Sequence, residues 1–276
     1  MSRDAADKRR GQGSRLPLIP GLLVATILPA SVAHAAVAHA AVAPQPPAER
    51  RWAIHVGGGL ALAAPAFSAS STFAEFAEEG SISTRNTPRA GPLVEAGVWR
   101  AMSRRLGVAL TVTRNRRDAP GTFSAAFPHP LYLERHRRVD GALPGGAQRE
   151  TAVHFGLVWS ATRAGITARI AGGPSYVLAE ADLVEQVTHT DEYPFDVVQV
   201  TGVRTSPVRG DALGGHAGVT LERRLAGRLA MSAGARWARA AIPLARSAVP
   251  AEGAGARSAR LQAGGVTAAA SIRLYF

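Results

Sequence analysis

From residue 52 onward the chain alternates apolar residues with polar or small ones, in runs of about ten, as strands with two unlike faces do. The run Leu106-Gly107-Val108-Ala109-Leu110-Thr111-Val112-Thr113 is the clearest. Leu106, Val108, Leu110 and Val112 share one face, and Gly107, Ala109, Thr111 and Thr113 share the other. The same rule sets Val153, Phe155, Leu157 and Trp159 against Ala152, His154, Gly156 and Ser160. Applied along the chain it predicts eight strands, at 52–63, 91–101, 105–115, 150–161, 164–178, 211–223, 227–240 and 260–276.

The connections are unequal. Met102-Ser103-Arg104, Thr162-Arg163 and Arg224-Leu225-Ala226 make three short turns, whereas 64–90, 116–149, 179–210 and 241–259 are long loops. Alternate short turns and long loops fit a transmembrane antiparallel up-and-down β-barrel with its turns on the periplasmic side. A compact soluble domain seldom carries several structureless loops of that length. In the third loop, 177–187 and 197–203 keep strand character around Asp191-Glu192-Tyr193-Pro194, which predicts a protruding hairpin or, alternatively, a ten-strand count.

No stretch after residue 43 is long and apolar enough for a spanning helix. The first residues are of another kind. Arg3, Lys8, Arg9, Arg10 and Arg15 precede an apolar stretch from Leu16 to Val32 and then the small-residue run Ala33 to Ala43. That order reads as a secretory signal peptide cleaved after Ala35 or Ala40. The expected organisation is a leader at 1–40, a short linker at 41–51 and a barrel at 52–276. Of the 276 residues none is cysteine, so disulfides, thiolate metal sites and thiol nucleophiles are excluded. The formal charge of +12 falls to +9 once the leader's five basic and two acidic residues are removed. Those charges are spread over barrel and loops, which argues against nucleic-acid binding.

The chain closes with Ala268, Ala270, Ile272 and Leu274 on one face of a strand ending in Phe276. This pattern resembles the assembly signal of outer-membrane β-barrel proteins, and residues 50–276 resemble the small eight-stranded barrels of the OmpA/OmpX kind. The resemblance implies insertion by the barrel-assembly machinery through Ile272, Leu274 and Phe276, residence in the cell outer membrane, and contact with its lipid and lipopolysaccharide. With no further domain read after the barrel, anchoring to peptidoglycan is not expected.

A barrel of eight strands has an interior that side chains just fill. By parity His55, Glu95, His154, Arg169, His216, Arg228, Arg236, Arg273 and Tyr275 point inward, with Glu95 the one clear carboxylate among arginines. An isolated charge there would be costly, so a paired polar network is expected. A proton or anion path along the same residues is the functional alternative. Trp52, Trp159, Trp237 and Phe276 suit the membrane interfaces. Gly57-Gly58-Gly59, Gly172-Gly173, Gly214-Gly215 and Gly264-Gly265 read as strand glycines that permit bends, and not as a nucleotide loop.

Activity would then belong to the loops. Arg114, Arg116, Arg117, Arg135, Arg137 and Arg138 cluster in the second loop and are candidates for lipopolysaccharide phosphate. His129, Glu134 and His136, or His189 with Asp191 and Glu192, leave a lipid A hydrolase or acyltransferase as an alternative, although no nucleophile is tied to them. A secreted soluble ligand-binding β-barrel is the third class. It is disfavoured because Glu95, Arg169, Arg228 and Arg273 would fall in its core. The expectation is therefore a structural or surface-interaction barrel without catalytic residues, metal or cofactor, its oligomeric state left open.

Overall fold

The computed structural model describes residues 51–244 and 254–276. The expected leader at 1–40 and the linker up to residue 50 lie outside the described residues. Ten strands form: β1 (Trp52–Ala63), β2 (Phe67–Glu75), β3 (Glu78–Asn86), β4 (Gly91–Ala101), β5 (Leu106–Pro128), β6 (His136–Arg163), β7 (Ile166–Asp191), β8 (Val198–Ala226), β9 (Leu229–Pro243) and β10 (Ala254–Tyr275). Eight of them close an antiparallel ring in the order β1-β4-β5-β6-β7-β8-β9-β10 and back to β1. The ends of the chain seal it, since Trp52 and Phe276 exchange backbone hydrogen bonds of 3.2 and 3.0 Å.

The two further strands, β2 and β3, are a hairpin within the first expected loop. It stands above β1 and β4 and takes over their neighbours: β5 pairs with β4 up to Asn115 and with β3 from Gly121. Likewise β10 pairs with β1 as far as Val266 and with β2 from Arg260 onward. The stretches Arg116–Pro120 of β5 and Leu261–Gly265 of β10 are thus two seams where a neighbouring strand is exchanged.

The second and third long connections are mostly strand. β5, β6, β7 and β8 run for 23, 28, 26 and 29 residues, where about 9–11 suffice to cross a bilayer. The expected hairpin of the third loop is present as the continuous upper ends of β7 and β8, so those stretches add no strands to the ring. Two short turns lie two to three residues beyond their predicted places, at Ala164-Gly165 and Gly227-Arg228. Gly165 and Gly227 have φ of +79° and +48°, a conformation that glycine adopts without the Cβ clash that the predicted turn residues would meet.

Hydrophobic alternation also reverses along the strands. Near the turns, the outward residues of β5 are Leu106, Val108, Leu110 and Val112, opposite inward Thr111 and Thr113. Past Val112 the outward residues become Arg114, Arg116 and Asp118, while Ala119, Phe123, Ala125 and Phe127 point inward and are buried. β7 does the same: Ile166, Ile170, Tyr176 and Leu178 face out, followed by Glu180 and Asp182, while Val177, Ala179, Ala181 and Leu183 are buried. The turn half is thus apolar outside and polar inside, and the far half is the reverse. One apolar cluster, including Phe67, Leu183, Ile242 and Leu261, caps the polar lumen, and a second, including Ile82, Phe123, Phe127 and Val198, fills the β stalk above it.

Candidate functional site

Side chains fill the lumen in layers. Nearest the turns, Glu222 of β8 accepts a short hydrogen bond from the Tyr275 hydroxyl and pairs with Arg169 at 3.2 Å and Arg273 at 2.9 Å. The Arg169 guanidinium also lies 4.7 Å from the centre of the Trp99 ring. Beside this layer Arg236 reaches Glu95 at 3.2 Å. A hydrogen-bonded chain follows: Thr113 Oγ1 is 3.1 Å from His154 Nε2, His154 Nδ1 is 2.8 Å from Ser175 Oγ, and Ser175 Oγ is 3.0 Å from His216 Nδ1. Small residues make this possible. A Cβ on Gly97 would come within 2.6 Å of the His55 ring, and one on Gly156 within 3.1 Å of His216 Nε2.

Above the histidines, Glu150 accepts hydrogen bonds from Gln148 and Asn115 at 2.7 and 3.3 Å and faces Arg117 at 3.7 Å. Arg117 and Glu150 both hold Gly264, the one on its carbonyl and the other on its N–H. This layer bridges the two seams and lies directly beneath the apolar cap.

His55, Glu95, His154, Arg169, His216, Arg236 and Arg273 all face the lumen, as parity predicts. Arg228 does not. It sits in the displaced β8–β9 turn and is exposed, because parity applies only where the strand has begun. Glu95 is not the sole inward carboxylate, since Glu150 and Glu222 are 4% and 3% exposed. Arg117 is likewise a lumen residue, 1% exposed, which removes it from the outward-facing candidates. Its neighbours Arg114 and Arg116 do face out, and continuation of β5 through this region is what separates the three.

The remaining candidates are far from that rim. Arg138 pairs with Ala126, twelve residues beyond Arg114 on β5, or roughly 40 Å along the strand at strand rise. There Arg137 is buried against Asp191 at 2.6 Å, and Arg135 meets Asp196 at 3.0 Å. His189 lies 3.3 Å from Glu75 and 3.9 Å from Asp191, but Asp191 already holds Arg137. His129, Glu134 and His136 do not converge: His129 stacks on Tyr132, the Glu134 N–H donates to Glu78, and His136 bonds the Glu79 carbonyl.

Trp52, Trp159, Trp237 and Phe276 face outward and are between 43% and 50% exposed. Ile272 and Leu274 face out beside Phe276 on β10. Trp99 turns inward onto Tyr275. The outward signal that sequence reading missed is Arg149 of β6, which stands directly across from Arg116. Ser175, which joins two histidines, was also missed, because one small polar residue in a strand carries no distinguishing pattern.

No family model and no curated protein sequence matches the chain. Solved structures do. The outer membrane protein OprG from Pseudomonas aeruginosa matches at 8% identity over 82% of this chain and 97% of its own, with a TM-score of 0.46. The outer membrane protease OmpT from Escherichia coli matches at 9% over 81% and 97%, with a TM-score of 0.37. Ail, the attachment invasion locus protein of Yersinia pestis, matches at 10% over 82% and 99%, with a TM-score of 0.35. The molecule's own surfaces carry the assignment. A closed ring whose turn half is apolar outside and carries charged side chains inside meets the demands that lipid makes on a spanning β-barrel. The chain folds as an antiparallel β-barrel closed by a ring of eight strands, with the outer face of a membrane-spanning barrel.

Proposed function

We propose that the protein is a structural, surface-interacting barrel that raises a rigid β stalk to present one joined platform outside the cell. The observation that carries this is the linkage of three strand tips. Between β5 and β6, the Glu134 N–H donates to Glu78 of the β2–β3 hairpin at 2.9 Å. From the same tip, Arg135 and Arg137 reach Asp196 and Asp191 of the β7–β8 tip. His189 joins β7 to Glu75. On this linked surface Leu133 and Tyr193 are 83% and 79% exposed, and Leu131, Tyr132 and Val197 lie beside them. Large apolar residues grouped at a charged, well-tied end favour contact with a partner over free solvation. The filled lumen and its apolar cap support a structural body in place of a wide channel.

A cysteine-free chain makes the test direct. Leu133→Cys and Met102→Cys are each expressed alone, and intact cells are treated with a membrane-impermeant maleimide. Labelling at 133 and protection at 102 until lysis is the expected result. Labelling of both on intact cells, or of 102 alone, overturns the orientation and with it the proposal.

A further inference from the structure

We infer that the outward cleft at the β5 seam is a binding site for a phosphorylated lipid of the outer leaflet, held by Arg114, Arg116 and Arg149. This rests on the proposed reading of the chain as a surface-exposed barrel of the outer membrane and names a partner for one place on it. The cleft is an open groove of about 420 Å³ lined by Pro92, Val94, Arg114, Arg116 and Arg149, among others. It exists because β4 ends there: Gly91, its first residue, lies so close to the Arg116 carbonyl that a Cβ would come within 2.1 Å of the oxygen. Beyond that point, backbone bonds from Thr87 and Arg89 to Pro120 and Asp118 replace a strand neighbour.

The charge arrangement is what needs a ligand. Arg116 and Arg149 are directly opposed across β5 and β6, a juxtaposition of like charges that destabilises a sheet. Arg149 has Glu180 at 2.7 Å. No ion pair involves Arg114 or Arg116 among the described residues, so the cleft keeps an excess of cation. Guanidinium forks suit phosphate oxygens, and three of them converge on one opening. A lipid headgroup fits better than a free ion because the floor is apolar. Val94, which lines the cleft, is 60% exposed, and Val112, the outward residue of β5 next below Arg114, is exposed where the outward face changes from apolar to charged. A bound acyl chain would lie on that belt while its phosphate met the arginines.

The test uses the full exported protein, purified in detergent, with native mass spectrometry of bound lipid. Bisphosphoryl lipid A is compared with its monophosphoryl and fully dephosphorylated forms, and inorganic phosphate is added as competitor. Wild type should hold the bisphosphoryl form best, and Arg114→Ala/Arg116→Ala should weaken it about tenfold, these being exposed charge-assisted contacts. Arg114→Lys/Arg116→Lys should recover part of the loss. Equal binding by the double alanine variant, or equal retention of the dephosphorylated lipid by wild type, overturns the site. Full displacement by millimolar inorganic phosphate overturns the choice of a lipid ligand. Mobility of unboiled and boiled samples is measured in parallel. Loss of the heat-dependent shift in wild type defeats the barrel assignment itself, whereas an intact shift with unaltered lipid binding defeats only the cleft.

Discussion

Arg117 donates from both terminal nitrogens to the carbonyl oxygen of Gly264, 147 residues away, at 3.1 and 3.2 Å. The two residues stand on the two seams, where β5 and β10 lose β4 and β1 and gain β3 and β2. A strand that changes partners leaves backbone groups without a ladder, and buried ones need side-chain partners. Arg117 supplies one and Glu150 another, and each neutralises the other.

Replacing Arg117 by Ala therefore strands Glu150 in the lumen. The expected cost is about 3–5 kcal/mol, the usual penalty for removing one member of a buried ion pair. The temperature at which the unboiled, fast-migrating band disappears should fall clearly. Arg114→Ala, three residues away but on the outside, should leave that temperature within error. Similar behaviour by both variants would contradict the opposed facing of the two arginines.

The reversal of patterning along β5 predicts opposite tolerances at two heights. Leu110→Arg places a charge in the lipid belt and should cost about 2–4 kcal/mol, measured by denaturant unfolding in lipid vesicles. Thr122→Arg, outward on the stalk, should be nearly neutral. Phe123→Arg, buried in the stalk at 5% exposure, should open the stalk to added protease while the heat-dependent mobility shift of the barrel survives. Equal tolerance at 110 and 122 would mean that the membrane boundary does not fall between them.

Glu95 and Arg236 meet within the lumen at 3.2 Å, with Glu95 directly across from Thr113, the first member of the histidine chain. Glu95→Ala should lower heat stability, since Arg236 is left facing its neighbours without a carboxylate. Paired replacement by Glu95→Gln and Arg236→Met should recover much of the loss, because it removes both charges. Unchanged heat stability of the alanine variant would remove Glu95 from any stabilising network.

Much of the ring was legible because lipid and lumen impose opposite demands on alternate residues, as in Leu106 to Thr113. The stalk was not, for a physical reason. Past Val112 the outward residues turn polar, and past Arg117 the inward ones turn apolar, so a reading that seeks apolar residues on the outward face stops at Arg114. The residues themselves show the change, since Phe123, Ala125 and Phe127 alternate as plainly as Leu110 and Val112. Continued alternation with inverted phase was the available signal, and it would have set Arg117 inside and Arg116 outside. Glu222 and Glu150 lay at the ends of predicted strands, where parity is least secure. The exposed turn position of Arg228 depended on Gly227, whose positive φ is a property of the turn that propensity favours but spacing alone does not fix. Pairings such as Arg137 with Asp191 join residues far apart in the chain and follow only from the fold.

At the outer rim, Glu180 bridges two arginines, Arg209 and Arg149, each at 2.7 Å. It is the first outward residue beyond Leu178, above the lipid belt. The hydrogen bond from Arg209 is the main influence on its carboxyl and holds its pKa below the ordinary value; burial opposes this, and the Arg209 charge and Arg149 add to the lowering. A carboxyl whose folded pKa is depressed stabilises the fold fully above its unfolded value, about 4.3 for glutamate, and that contribution fades as pH falls through the folded pKa. Because both arginines are largely exposed, the contribution should stay below about 1 kcal/mol. Carboxyl-carbon NMR of selectively labelled protein should place the Glu180 midpoint below that of glutamate in an unstructured peptide. Arg209→Ala should move it upward, and the wild type should lose a small part of its stability in acid that Glu180→Gln never possesses. A Glu180 midpoint equal to that of glutamate in an unstructured peptide would show that the rim arginines do not hold it, and Arg149 would then be free to face the cleft alone.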